Sequence, residues 1–440
     1  MIFGDTIVAL SSGRLPSGVA VIRVSGHQTR FVIETICEFV PDSRVASLQT
    51  LRRGKEILDR GLVLFFPTPH SFTGEDVAEL QVHGGRATVS SILHEITRLP
   101  QVRLAEAGEF TRRAFMNGKL DLVQTEALAD LINAETEAQR RLAQRNSDGA
   151  QSRLYAEWRN RLVNARALIE ADIDFSDEGD VPGSVADRVW TDVAALSDQI
   201  SAHIRGYSAA EIIQDGFHVV ILGAPNAGKS SLLNALARRD AAIVTDEPGT
   251  TRDVLEVVLD INGLKVIVAD TAGIRDGAGK VESIGIEKAR ARGRDADLVL
   301  KLEDLTDPHP VDTSWAAGEV VRIGTKLDLA SASHKRPSGY DHCISTVTGE
   351  GMTSLVQTIG DIAELKIRDA GDILPSRLRH VELLQDALSH IGSALRDVHA
   401  PLEIRAEELR LATDRLGRIT GAVDVEELLG VIFSQFCIGK

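Results

Sequence analysis

The sequence predicts a multidomain chain: an α+β amino-terminal domain, an all-α helical domain, and an α/β P-loop domain inserted into the helical one. Three observations lead there. Residues 217–237 run from an apolar segment through a glycine loop into a helical pattern. Residues 1–117 mix short β-type segments and helical ones, bounded by Gly and Pro. Helical periodicity lies on both sides of the P-loop segment, at 119–213 and again at 374–427. The expected boundaries are 1–117 for the α+β domain, 118–214 and 362–440 for the two parts of the helical domain, and 215–361 for the P-loop domain.

In the first domain, 18–24 (GVAVIRV), 61–66 (GLVLFF) and 77–82 (VAELQV) read as strands, and 88–99 reads as an amphipathic helix. Arg23, Glu79 and Lys119 interrupt apolar surroundings. Taken singly, each reads as a charge at a strand edge or helix end. From Lys119 the pattern turns helical: 120–145 repeats apolar residues at three and four positions, and 151–173 continues as a second long segment. Acids, Gly and Pro in DFSDEGDVP (174–182) break it, and 185–213 is helical again.

The inserted domain opens with the apolar run 219–222, as expected of a parallel strand covered on both faces. Gly223 then starts GAPNAGKS, which fits G-x-x-x-x-G-K-[ST]. Gly223 and Gly228 allow backbone N–H groups to turn inward on phosphates, so Asn226, Ala227, Gly228, Lys229, Ser230 and Ser231 form the expected cradle. Lys229 reaches the β and γ oxygens, Ser230 offers a hydroxyl to Mg²⁺, and the helix at 231–237 adds its positive dipole end. The loop Thr245-Asp246-Glu247-Pro248-Gly249-Thr250-Thr251 supplies further contacts, with the Thr251 hydroxyl suited to Mg²⁺. Asp270-Thr271-Ala272-Gly273 ends the apolar strand 264–269, placing a carboxylate behind the metal and a glycine N–H at the γ-phosphate. Thr325-Lys326-Leu327-Asp328 and Ser345-Thr346 end two further strands, where an open parallel sheet binds its ligand. Asp328 can accept both hydrogen bonds from guanine N1 and N2, which adenine does not offer on that edge. Lys301 and Glu303 interrupt the strand expected at 297–302.

Composition narrows the setting. With 43% hydrophobic and 26% charged residues the chain is of ordinary globular type. Cys37, Cys343 and Cys437 are too few and scattered for a disulfide framework or metal cluster. No apolar run approaches membrane-spanning length, and the amino terminus lacks the basic region of a secretory signal, so a cytoplasmic location is expected. A net charge of −15 argues against a broad nucleic-acid surface. An RNA contact would be a local patch or be shared with a partner; Arg112-Arg113 and Arg140-Arg141 with Arg145 are candidates, although such runs also read as solvated helix faces.

The order of phosphate motifs resembles the TRAFAC GTPases. Within them, Asn226, GTT at 249–251, DTAGIR at 270–275 and the terminal Cys437-Ile438-Gly439-Lys440 are similar to the MnmE (TrmE) family, over nearly the whole chain. The resemblance implies a folate-binding-like first domain that dimerises, a helical domain, and an inserted P-loop GTPase domain. It further implies a homodimer that works with the FAD protein MnmG to place an aminomethyl or carboxymethylaminomethyl group on carbon 5 of the wobble uridine of certain tRNAs. By the same likeness, Arg23, Glu79, Lys119 and Lys440 contact 5-formyltetrahydrofolate. Asn226, with carbonyls at Thr245, Glu247 and Thr250, holds K⁺. Glu282 positions the attacking water, since Ile274 stands where Ras-like enzymes carry glutamine, and Arg252 and Arg275 help order the loops they lie in. Cys437 is either a nucleophile toward uridine or a packing residue. Thr325 stands where this class carries Asn, which implies one contact fewer to the base edge. The loop Ser12 to Gly18 departs from the family's glycine-rich pattern. A folate-binding GTPase switch and a ribosome-assembly GTPase remain as alternative readings.

Overall fold

The computed structural model describes residues 4–174, 184–239, 256–270, 296–314, 316, 318–330, 338–368, 371–423, 429, 432, 433, 436 and 439. The chain divides into two compact units, one of residues 1–129, 147–161 and 413–440, the other of residues 130–146 and 162–412.

The first unit is built on a six-stranded sheet in the order β3-β4-β5-β2-β1-β6, with β1 (Thr6–Leu10), β2 (Ser17–Ser25), β3 (Ser47–Arg53), β4 (Glu56–Phe66), β5 (Val77–Gly84) and β6 (Val102–Leu104). Alternation decides the faces. Val8, Ile22, Val24, Val63, Leu80 and Val82 point to one side, where helices α1 (Thr29–Cys37) and α2 (Arg86–Thr97) cover them with Val32, Ile36, Ile92 and Ile96. Ala9, Arg23 and Glu79 stand in register on the other side. There Ile7 and Ala9 pack with Ala105, Phe110 and Phe72. β4 lies so close to β5 that a Cβ on Gly61 would fall 2.1 Å from the Gln81 carbonyl oxygen.

Helix α3 (Glu109–Met116) overturns one reading of the sequence. Arg113 is fully buried rather than exposed to a phosphate backbone. Its guanidinium donates to Asp5 Oδ1 at 2.7 Å, to Glu109 Oε1 at 3.0 Å and to Glu75 at 3.2 Å. Burial opposes the charge on Asp5 and Glu109, yet hydrogen bonds from Arg103 and Arg113 hold both carboxyls below their ordinary range.

Helix α4 (Leu122–Asn133) opens the helical part, followed by α5 (Glu137–Ser147) and α6 (Ala150–Asp174). The stretch 185–213 forms two helices, α7 (Ser184–Arg205) and α8 (Tyr207–Gln214), which meet at Gly206, whose N–H bonds back three residues to the His203 carbonyl. The basic residues of α5 are engaged with acids: Arg140 and Arg141 both pair with Glu137, and Arg145 pairs with Asp372.

The second unit contains a six-stranded sheet in the order β12-β11-β10-β7-β9-β8. β7 (Phe217–Gly223), β9 (Leu264–Asp270), β10 (Leu298–Asp304), β11 (Glu319–Thr325) and β12 (His342–Cys343) run parallel, and β8 (Glu256–Ile261) is antiparallel to β9. The central β7 is apolar on both faces, as its sequence requires. Val219 and Ile221 pack into the main core with α9 (Lys229–Ala237) and α10 (Met352–Ile367), while Val220 and Leu222 meet Ala296 and Val299. Lys301 and Glu303 do not break β10; they sit on one face two residues apart and pair at 3.3 Å. Helices α11 (Leu378–Arg396) and α12 (Leu402–Thr420) complete the helical part. Among the described residues no helix is long and apolar enough to cross a membrane.

Candidate functional site

At the carboxyl end of β7 the chain turns through 224–228 into α9. Two residues of this turn have positive φ, Asn226 at 65° and Gly228 at 91°, a geometry that points successive N–H groups to one side. Gly223 is pressed against β10, where a Cβ would lie 2.6 Å from the Leu302 carbonyl oxygen. Lys229 folds back over the loop, and its ammonium donates to the carbonyls of Gly223 at 2.8 Å and Ala224 at 2.9 Å. Burial lowers the pKa of this ammonium and nearby Asp270 partly restores it. The next residue, Ser230, donates its hydroxyl to Asp270 Oδ2 at 3.0 Å. The P-loop serine and the carboxylate that ends β9 therefore converge, a hard-oxygen pair of the kind Mg²⁺ takes.

The ends of β10, β11 and β12 form the neighbouring wall. Thr325 is 3% exposed, and its hydroxyl lies 2.8 Å from the Ala227 carbonyl and 3.2 Å from that of Glu303. Its side chain thus faces the phosphate loop. Lys326, at φ 58°, pairs with Asp304. Burial works against the Asp304 charge, but Lys326 and Thr306 hold its carboxyl below the ordinary range. Ser345 donates to Asp328 Oδ1 at 2.6 Å while its own oxygen accepts from the Val347 and Thr348 N–H groups. Sequence reasoning missed the Thr325 pin and the Asp304 partner. The signal for the second was available, since Asp304 stands opposite Thr325 in the parallel register of β10 and β11.

In the first unit, Arg23 and Glu79 are cross-strand partners, joined at 3.0 Å. The Arg23 guanidinium lies 5.3 Å from the ring centre of Phe72 and 5.7 Å from that of Phe110, two aromatic faces the sequence reading did not include. Lys119 donates to the Pro69 carbonyl at 3.0 Å. The expected sites at Thr245, Asp246, Glu247, Pro248, Gly249, Thr250, Thr251, Arg252, Thr271, Ala272, Gly273, Arg275, Glu282, Cys437 and Lys440 lie outside the described residues.

Comparisons with known proteins cover the chain end to end. Residues 6–119 match the family described as GTP-binding protein TrmE N-terminus, and residues 122–437 match the MnmE helical domain. The tRNA modification GTPase MnmE of Mesorhizobium japonicum is 62% identical over the full length of both chains. That of Brucella canis is 57% identical over 100% of this chain and 99% of its own.

Proposed function

The chain belongs to the MnmE (TrmE) family of tRNA modification GTPases, and on that premise we propose that it hydrolyses GTP, stimulated by K⁺, and works as a homodimer with MnmG. The product is an aminomethyl or carboxymethylaminomethyl group on carbon 5 of the wobble uridine of certain tRNAs. The observation that carries the reading is the convergence of Ser230 on Asp270 beside Lys229, in a chain so similar to tRNA modification GTPases over its whole length.

The residues fit the groups this activity needs. Ser230, with Asp270 behind it and Thr251, would hold Mg²⁺, which supplies positive charge beside the β and γ phosphoryl oxygens. Asn226, at the positive-φ bend of the loop, would share K⁺ with the carbonyls of Thr245, Glu247 and Thr250. Lys229 exchanges its loop carbonyls for phosphate oxygens, Asp328 takes the guanine edge in the orientation Ser345 imposes, and Glu282 orients water for in-line attack. Arg23 and Glu79, flanked by Phe72 and Phe110, offer a cation, a carboxylate and two aromatic faces. That set suits 5-formyltetrahydrofolate, with its flat pterin and acidic tail, and Lys119 and Lys440 would add cations for the tail.

Nucleoside analysis of tRNA tests the proposal. A strain lacking this gene is expected to lose the carbon-5 modification and to regain it with the intact gene; an unchanged nucleoside profile on deletion overturns it. GTP turnover by the purified protein should also be several-fold faster in KCl than in NaCl at equal ionic strength. Equal rates would remove K⁺ from the scheme.

A further inference from the structure

The end of the chain is fastened to its first strand. Ser11 continues the β1–β2 ladder by donating its N–H to the Val21 carbonyl at 2.7 Å, so its side chain projects from a fixed backbone. Its hydroxyl donates to the carbonyl of Gly439 at 2.7 Å, across 428 residues of sequence. Gly439 itself is buried at φ 99°, and a Cβ there would fall 2.0 Å from the Leu10 carbonyl oxygen. Only glycine can sit so close in that conformation.

Upstream, a second glycine contact guides the same tail. Gly108, at φ 65°, leaves room for the Phe433 carbonyl, which a Cβ would meet at 2.6 Å. Ile432, Phe433 and Phe436 bury themselves against Leu122 and Phe115. The residue before Ser11 pairs with Ile22, and Ala9 pairs with Arg23. The fastening therefore sits two positions along β1 from the register of the Arg23–Glu79 pair.

We infer that Ser11 is a positioning residue whose hydroxyl latches the tail at Gly439 against the end of β1, and that this latch supports the folate contact proposed for Lys440. The consequence for folate rests on the function proposed above. The latch itself does not.

The test compares full-length wild type with S11A and S11T. Release of Lys440 by carboxypeptidase B should be at least fivefold faster from S11A and return to the wild-type rate in S11T, which restores a hydroxyl. Equal release from wild type and S11A overturns the latch. In parallel, titration with 5-formyltetrahydrofolate should show about tenfold weaker binding to S11A, with GTP turnover within twofold of wild type. Faster Lys440 release with unaltered folate affinity overturns the positioning role. A wild-type protein that binds no folate counts against the proposed function and leaves the release assay to decide the latch.

Discussion

Thr325 carries the sharpest difference between what its position implies and what its side chain does. Its sequence position implies a lost contact to the guanine edge; its hydroxyl instead fastens the base-side strand to the Ala227 carbonyl. A hydrogen bond of this kind is worth about 1 kcal/mol net, with a further penalty if the acceptor is left unmatched. T325V keeps the shape and removes the bond. It should weaken GTP binding about three- to tenfold in a fluorescent-nucleotide titration while preserving the preference for guanine over adenine; unchanged affinity would show the pin to be idle. His203 on α7 gives a second expectation at this scale. Burial, then the neighbouring His380, lowers its imidazole to about 4. Between that value and the ordinary one of about 6.5, the unfolded chain binds more protons here than the folded one. Stability from this group is therefore full above about pH 6.5 and declines toward pH 4, by roughly 3 kcal/mol in all. Urea midpoints for H203Q should fall less steeply over that window than those of wild type. The low-lying Asp5 and Glu109 carboxyls act in a different window: they stabilise the fold above about pH 4, and that contribution is lost as pH falls through their depressed values.

Elements were legible where one pattern sufficed. The run 219–222 has no alternation because β7 is covered on both faces, and the glycine loop after it is a motif with a backbone reason for each glycine. Long helices such as α6 announced themselves by spacing. The elements that escaped depend on partners distant in sequence. β1, β3 and β6 are short or mixed in polarity, and their places are set by pairing with β2, β4 and β1. The pair Arg112-Arg113 reads as surface charge because no local pattern reveals that Asp5 and Glu75 will surround the second arginine. The surroundings of Arg23 were half visible: Arg23 and Glu79 stand out as charges in apolar strands, whereas Phe72 and Phe110 look like ordinary core residues until the fold brings them beside the guanidinium. Strand spacing yields its own expectation. G61A forces a methyl group into the Gln81 carbonyl, a contact that backbone cannot yield cheaply. It should cost on the order of 3 kcal/mol and lower the thermal midpoint of the first unit by several degrees, read by calorimetry.

At the scale of the whole molecule, charge limits what the protein can do alone. The net charge is −15, Arg113 is buried, and the arginines of α5 are paired to acids, so most of the basic clusters marked in the sequence are already engaged, with Arg112 left exposed. Each phosphate neutralised contributes about 0.7 to 0.9 to the slope of log affinity against log salt. The isolated protein should therefore bind tRNA weakly, with a slope below about 3 in a filter-binding series, and addition of MnmG, the partner proposed above, should tighten and steepen binding. A steep slope for the isolated chain would instead reveal a basic surface outside the described residues.

The first unit is assembled from both ends of the chain, and its opening strand meets a glycine at position 439. A ribosome delivers these pieces in the least convenient order. Ser11 leaves the exit tunnel hundreds of codons before its partner exists, while residues 162–412 have all been synthesised before the closing piece is made. The nucleotide-binding unit can thus mature before the first unit, which stays unfinished until residues 413–439 are made. Chains truncated after residue 412 and released should display a protease-resistant second unit joined to a digestible amino-terminal one.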